Sequence, residues 1–405
     1  YMKISRKLLK NNLSISLLGS KSIVIRHLLI SLFHNSKIIL RNVQFCDDVV
    51  VAINLIKTYG KIVDIVDKNT IKISGQITKI PEKIYCGESA SLLRMIVPIH
   101  HSFHNKCRYD GDKTLLVRDF IDIEEMLSSL GLSFSSTKLP FIVIGELNSQ
   151  NNYSLMAKQS SQVVSGLLIS TCFQNLVTTI HCPELVSAPY VYLTAEIINL
   201  YGGMITYNDK TFQVKPNNLQ EKSNDFLIEG DWSLGAMILA LGLTFESCTV
   251  KNLSSNSLQP DSEILSLFDN LSIKYQVTEN SIITYKQNYN GFSYDITNTP
   301  DLVPALMILS ANANSPSVIT GIKRLTNKES NRANTLAENF IRLGGRLETT
   351  NENTWIIYPS QIHGGEIKTY EDHRVAMLGI FLGLLSEEDV EIDNWQCISK
   401  SYWIK

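Results

Sequence analysis

The sequence predicts an α/β protein of two similar domains, each holding three copies of one supersecondary unit. Two observations predict this. A helix-like stretch, a Gly or Asn break and two strand-like runs recur in that order five times. A second, more apolar helix with a polar start recurs six times, upstream of each such hairpin and once more near the C-terminus. Recurrence in fixed order, with the period changing from helical to strand-like inside each copy, marks a repeated unit.

The hairpin copies read INLIKTYGKIVDIVDKNTIKISG from Ile53, MLSSLGLSFSSTKLPFIVIGE from Met126 and IINLYGGMITYNDKTFQVKP from Ile197. ILSLFDNLSIKYQVTENSIITY from Ile264 and FIRLGGRLETTNENTWIIYP from Phe340 complete the set. Glycine at the break is the residue that ends a helix in the left-handed conformation. DKN, YNDK, TEN and TNEN supply the turns between alternating runs. The six polar starts are GSKSIVIR, GESASLLR, SSQVVSGLL, GDWSLGAMI, TPDLVPALM and YEDHRVAML. Each unit is therefore helix, strand, helix, strand, strand. The sixth stops after DVEIDNW. The alternating LSISLL within Met2–Leu18 is expected to supply its missing strands and so close the chain on itself. One domain is predicted over residues 20–229, the other over 1–19 and 230–405.

Composition narrows the function. Thirty-seven Lys+Arg against 39 Asp+Glu give a net charge of -2, which argues against a general nucleic-acid binder. Hydrophobic residues are 44% and charged residues 19%, so the chain is not mostly disordered. No apolar run approaches the ~20 residues of a membrane span. The basic stretch Tyr1–Lys10 lacks an apolar core for a secretory signal. Seven scattered cysteines outside any metal spacing are expected to be free thiols in a reducing cytoplasm.

The helix starts carry the chemistry. First-turn N–H groups have no intrahelical partner and bear partial positive charge. Gly19, Ser20, Ser22, Gly87, Ser89 and Ser160 are small enough to let an anion reach them. Lys21, Arg26, Arg94, Arg118 and Arg374 stand nearby, and Arg suits bidentate binding of carboxylate or phosphate. Several such starts gathered together would make an anion site. There is no P-loop, no G-x-G-x-x-G after a strand, no G-x-S-x-G and no H-E-x-x-H. His100, His101 and His104 are read as partly exposed and not as metal ligands. His373, between Asp372 and Arg374, is read as making a structural hydrogen bond.

In order along the chain, these segments resemble the 5-enolpyruvylshikimate-3-phosphate synthase family. Gly19-Ser20-Lys21-Ser22 with Arg26 resembles PGSKS-x-x-x-R, with Leu18 for Pro, and Asp47-Asp48-Val49 its DDV. Gly87–Arg94 is similar to GNAGTxxR, and Gly111–Arg118 to the segment whose Arg holds phosphoenolpyruvate. Ser160-Ser161-Gln162, Ser187-Ala188-Pro189-Tyr190, Glu229-Gly230-Asp231 and Pro300-Asp301 follow. So do Lys328-Glu329-Ser330-Asn331-Arg332, Asp372-His373-Arg374-Val375-Ala376-Met377 and the late Lys400.

The resemblance implies two domains of three βαβαββ units each, an inside-out α/β barrel arrangement with the active site in the cleft between them. It implies transfer of the enolpyruvyl group from phosphoenolpyruvate to the 5-hydroxyl of shikimate 3-phosphate, releasing phosphate, in a cytoplasmic monomer with no metal or organic cofactor. Ser160, Ser161 and Ser187, with Lys328 and Tyr190 nearby, would hold the shikimate phosphate. Ser22, Arg26 and Asp301 would bind the ring hydroxyls and carboxylate. Lys21, Ala90, Arg118, Gln162, Arg332, Arg374 and Lys400 would surround phosphoenolpyruvate. Asp301 would be the base, and Glu329, Lys21 or Lys400 would deliver a proton to the methylene carbon.

Six further residues depart from the pattern. Ala90 stands for Gly, Glu88 for Asn, Asn331 for Asp and Ala188 for a basic residue, while Leu115-Leu116 stand where polar or basic residues are usual. Ala90 is expected to weaken inhibition by glyphosate. The nearest rival, the sister family acting on UDP-N-acetylglucosamine, begins with Lys-Asn instead of Lys-Ser and carries a loop Cys where Leu115 and Leu116 stand. A catalytically silent domain of the same fold is the other alternative.

Overall fold

A computed structural model of the chain describes residues 1–147, 150–172, 174, 176–216 and 224–402. The chain divides into two compact units, one of Tyr1–Leu18 with Glu229–Lys405, the other Gly19–Ile228. Six inner helices organise them. In the Gly19–Ile228 unit these are α1 (Lys21–Ser31), α2 (Ala90–His101) and α3 (Gln162–Cys172). In the other they are α4 (Trp232–Gly242), α5 (Val303–Asn312) and α6 (His373–Gly383). Almost every residue of each is buried, as in α3, where Val163 through Cys172 are all inaccessible. A helix that is apolar on all sides has no face to offer water, so it becomes the core and the sheets cover it. Gly166 of α3 shows how closely these helices pack, because a Cβ there would lie 2.3 Å from the Met95 carbonyl oxygen of α2.

The sheets repeat one topology. Among the described residues, the strand before the inner helix runs parallel to the strand after it in four of the six units, and in five units a hairpin adds two antiparallel strands. Asn152–Ala157 thus lies beside Thr178–Leu185, followed by Thr211–Lys215 and Met204–Asn208. Alternate residues of Asn152–Ala157 are buried, which turns one face of the sheet to the helices. Glycines 60, 131, 202 and 344 end the hairpin helices at positive φ. The fourth unit has Asn270, and no Gly, at this break. Asn270 instead closes the helix Ile264–Asn270, and Ser272 takes the left-handed position at φ 56°.

The N-terminal strands differ from expectation. Met2–Ile4 does pair with Val390–Ile392 of the sixth unit, but Asn12–Ser16, the LSIS run, pairs with Ser247–Lys251 of the fourth. Conversely Asp225–Leu227, which leads towards α4, pairs with Ile38–Arg41 of the first. The strands ahead of α1 and α4 are therefore exchanged. Alternation specifies a strand and its buried face but not its neighbour.

Matching devices hold the two crossings. Gly19 N donates to the Asn42 carbonyl (2.8 Å), and Asn42 Nδ2 donates to the Ile228 carbonyl (3.0 Å). Gly230 N donates to the Asn252 carbonyl (2.8 Å), and Asn252 Nδ2 to the Leu17 carbonyl (3.0 Å). Both asparagines have positive φ, and a Cβ on Gly19 or Gly230 would lie 2.5 or 2.6 Å from the carbonyl oxygen it faces. Among the described residues no helix is long and apolar enough to cross a membrane.

Candidate active site

In the Gly19–Ile228 unit, hydrogen bonds gather Ser22, Arg26, Ser161, Ser187 and Tyr190. Arg26 is buried in α1. Its Nη1 donates to the Ser22 carbonyl (2.8 Å), Nη2 to the Tyr190 carbonyl (3.2 Å) and Nε to Thr194 Oγ1 (2.8 Å). Burial pulls its pKa down to about 10, which leaves it charged near neutrality. Ser187 takes the left-handed conformation at φ 53° just before the helix Ala188–Leu200. Its carbonyl there accepts Ser161 Oγ–H (3.1 Å) and Tyr190 N–H (3.1 Å). Ser160 Oγ accepts the N–H of Gln162, the first residue of α3 (3.2 Å). Three starts in this unit, those of α1, α2 and α3, thus carry neutral hydroxyls.

Lys21 and the Ala90–Arg118 region are held by other partners. Lys21 Nζ pairs with Asp48 Oδ2 at 2.8 Å, which gives the DDV segment its role. Ala90 opens α2, whose cap is Ser89 accepting from Leu92 N. The loop leading to Arg118 is tied to that start: Asp112 N donates to the Gly87 carbonyl, and Thr114 Oγ1 to Glu88 Oε2 (2.9 Å). Lys113 lies 3.5 Å from Glu88, so the extra negative charge at this departure is answered locally. Leu115 is fully buried and serves the core. Arg118 is buried beside the Phe120 ring, 5.8 Å from its centroid. Arg94 leaves the anion-binding set, because its guanidinium is closed bidentately on buried Asp122 (2.6 and 3.2 Å).

The other unit brings Asp301, Glu329, Arg332, Arg374 and Lys400 into one hydrogen-bonded array. Arg332, first residue of the helix Arg332–Arg342, sits at its centre. Nε and Nη2 fork onto Asp372 (2.9 and 3.1 Å), Nη1 reaches Asp301 Oδ1 (3.1 Å), and Nη2 also reaches Glu329 Oε2 (2.5 Å). Lys400 Nζ donates to Glu329 Oε1 (2.7 Å). Arg374 Nη1 donates to Tyr402 Oη (2.7 Å), and its Nη2 lies 3.4 Å from Asp301 Oδ2.

Charge follows from this geometry. Burial would raise Asp301, but Arg374, Lys328 and Arg332 together hold it well below the usual carboxylate range. Lys328 is pulled down to about 8, chiefly by burial. Burial opposes the charge of Arg332, and Asp372, Glu329 and Asp301 more than offset it. Asn331 caps the Arg332 helix by accepting from Asn334 N (3.3 Å), a role that Asn fills as well as Asp.

One reading of the histidines needs correction. His100 and His101 are fully buried, not partly exposed. His100 Nδ1 meets Tyr59 Oη and His101 Nδ1 meets the Gly145 carbonyl, each at 2.7 Å, and burial lowers their pKa values to about 3 and about 4. Their apolar surroundings were legible, but the two polar partners lie far off in sequence. His373 Nδ1 lies 3.8 Å from Glu329 Oε1 and 4.0 Å from Asp372 Oδ1. These three residues offer donor atoms within 4.8 Å of one another. Arg332 and Lys400 already occupy both carboxylates, so the set suits a cation poorly.

Sequence reasoning missed Asp261 and Tyr402. Both are buried beside Asp301 and Arg374, and neither stood in a matched motif. The only local signal was a carboxyl in the otherwise plain segment Gln259-Pro260-Asp261.

Comparison with solved structures defines the class. EPSP synthase from Acinetobacter baumannii superposes with a TM-score of 0.78 at 18% identity, over 96% of this chain and 93% of that one. The enolpyruvyl transferase NikO from Streptomyces tendae does so with a TM-score of 0.74 at 13% identity, over 99% and 94%. At such identities the likeness concerns the fold, an α/β enolpyruvyl transferase fold of repeated βαβ-type units. The sequence carries the assignment further. The family model described as EPSP synthase (3-phosphoshikimate 1-carboxyvinyltransferase) matches residues 7–403. The 3-phosphoshikimate 1-carboxyvinyltransferase of Sulfurisphaera tokodaii is 31% identical over 396 residues, 94% of this chain and 91% of that protein. That of Picrophilus torridus is 29% identical over 390 residues, 95% and 92% respectively. The chain belongs to the EPSP synthase family, transferases of the shikimate pathway.

Proposed function

We propose that the protein transfers the enolpyruvyl group of phosphoenolpyruvate to the 5-hydroxyl of shikimate 3-phosphate. The carrying observation is the Asp301–Arg332–Glu329–Lys400 array, which holds a carboxylate base, a second carboxyl and two cations in continuous contact. Asp301 takes the hydroxyl proton as the oxygen attacks C2 of phosphoenolpyruvate. Glu329, Lys400 or Lys21 adds a proton to the methylene carbon, giving a tetrahedral intermediate. Loss of phosphate and of one methyl proton then restores the double bond.

A carboxylate held as low as Asp301 is a weak base. The ion pairs supply the remedy: a phosphate or carboxylate drawn to Arg332 and Arg374 takes them from Asp301, and its basicity rises. Ser160, Ser161, Ser187, Tyr190 and Lys328 are assigned to the shikimate phosphate. Ser22 and Arg26 are assigned to its ring, and Lys21, Ala90, Arg118, Gln162, Arg332, Arg374 and Lys400 to phosphoenolpyruvate. Arg26 spends three donors on protein carbonyls and Thr194, so it acts mainly by fixing the Tyr190 backbone. The reading carries with it a cytoplasmic monomer.

The test is phosphate release from phosphoenolpyruvate with either acceptor. Release with shikimate 3-phosphate supports the proposal. Release only with UDP-N-acetylglucosamine would replace it, and release with neither would leave a silent domain.

A further inference from the structure

Asp261 has no place in the proposed reaction, yet it is among the most buried ionisable groups near it. It lies in the short 3-10 turn Pro260–Glu263 and is 2% exposed. Its Oδ2 is 2.5 Å from Ser233 Oγ in the first turn of α4, and its Oδ1 is buried with no hydrogen-bond partner among the described residues. Among the described residues no Lys or Arg forms an ion pair with it, whereas Asp301 takes both Arg332 and Arg374. The groups facing it are Asp231, the cap of α4, Ser233 from α4, Asp301 at the entry to α5, Arg374 from α6, Tyr294 from the strand Ser293–Asp295, and Tyr402.

A buried carboxylate with one hydroxyl partner and like charges nearby is costly, and such a group neutralises instead. We propose that Asp261 is a positioning residue that keeps its proton: the acid O–H on Oδ2 donates to Ser233 Oγ, and the neutral carboxyl leaves Arg374 to Asp301. When Asp261 ionises it becomes a second carboxylate competing for Arg374, and Asp301 loses part of its alignment. Burial, reinforced by the Asp301 charge, pushes Asp261 up to about 7, in keeping with this geometry. The effect on catalysis rests on the reaction proposed above; the protonation state does not.

Asp261→Asn mimics the neutral acid, with its amide N–H in place of the acid O–H. Infrared difference spectra of the ligand-free protein at about pH 6 should show a protonated carboxyl C=O band that this variant lacks. Stability gives a second readout. A carboxyl raised in the folded state stabilises it below the unfolded pKa, and that contribution is lost as pH rises through the folded value. The melting temperature of Asp261→Asn should therefore gain steadily on the parent from about pH 4 to about pH 7. Neither readout needs turnover, so both decide the matter even if the protein proves to catalyse another reaction. Under the proposed reaction, kcat/KM for phosphoenolpyruvate should fall less steeply from about pH 7 to about pH 8.5 in the variant. Some decline remains, because Lys328 titrates in that range. Absence of the band in the parent, a melting difference flat with pH, or identical pH profiles would overturn the proposal.

Discussion

Replacing Arg332 with Met removes one guanidinium that three carboxylates share. Four charge-assisted hydrogen bonds go, two of them to Asp372. The three acids do not suffer equally. Asp301 keeps Arg374, Glu329 keeps Lys400, but Asp372 has a side chain with no exposure, and among the described residues the hydrogen bonds left to it are those from Ser330 Oγ and the Arg374 backbone N–H. Breaking a buried pair from one side costs about 3–5 kcal/mol, most of it the uncompensated charge. Arg332→Lys keeps the charge but cannot fork, so it should lose at least one charge-assisted bond, about 1.5–3 kcal/mol. Urea unfolding of the full chain, followed by tryptophan fluorescence, suits the measurement. All four tryptophans fall between residues 229 and 405, so the signal reports the unit that holds Arg332. The expected order of midpoints is parent, then Lys, then Met. A Met variant within about 1 kcal/mol of the parent, or more stable than the Lys variant, would refute the account of Asp372 as a carboxylate that depends on Arg332.

The buried histidines predict acid lability of the Gly19–Ile228 unit. His27, bonded to Tyr201 Oη at 2.6 Å, and His100 are lowered by burial to about 3, and His101 to about 4. Depressed histidines stabilise the fold above the unfolded value near 6.5 and withdraw that stability as pH falls, so each should cost about 2 kcal/mol at about pH 5. Thermal melts from about pH 7 to about pH 5 should show the loss, and a His100→Gln variant should soften it; melts that do not move with pH would rule this out. At the other end of α2, Ala90→Gly should increase glyphosate inhibition of the proposed reaction while changing kcat little, as read from inhibition constants of the two proteins. Equal sensitivity would show that the Ala90 methyl does not crowd the inhibitor.

Local pattern made much of this protein legible. The inner helices announced themselves as the more apolar stretches, each with a polar start, and the hairpins by alternation around turn residues. The ordered motifs named Asp301, Glu329, Arg332, Arg374 and Lys400 among the residues of a wider site, and the fold brings those five together. Other readings went astray where a partner sits far along the chain. Arg94 looked like an anion ligand until Asp122 closed on it, and His100 and His101 looked half-exposed until the fold buried them with Nδ1 against Tyr59 and the Gly145 carbonyl.

By itself, then, the sequence determined the repeated unit, the polarity of each helix start and the identity of the chemical groups, since these depend on spacing within a few turns of chain. Tertiary structure alone decided that the strand before α1 pairs beside α4, that Arg332 forks onto Asp372 forty residues away, and that Asp261 lies buried beside Asp301. Strand partners, ion pairs and protonation are set by which groups meet in space and how much water they keep, and neither quantity is written in local sequence.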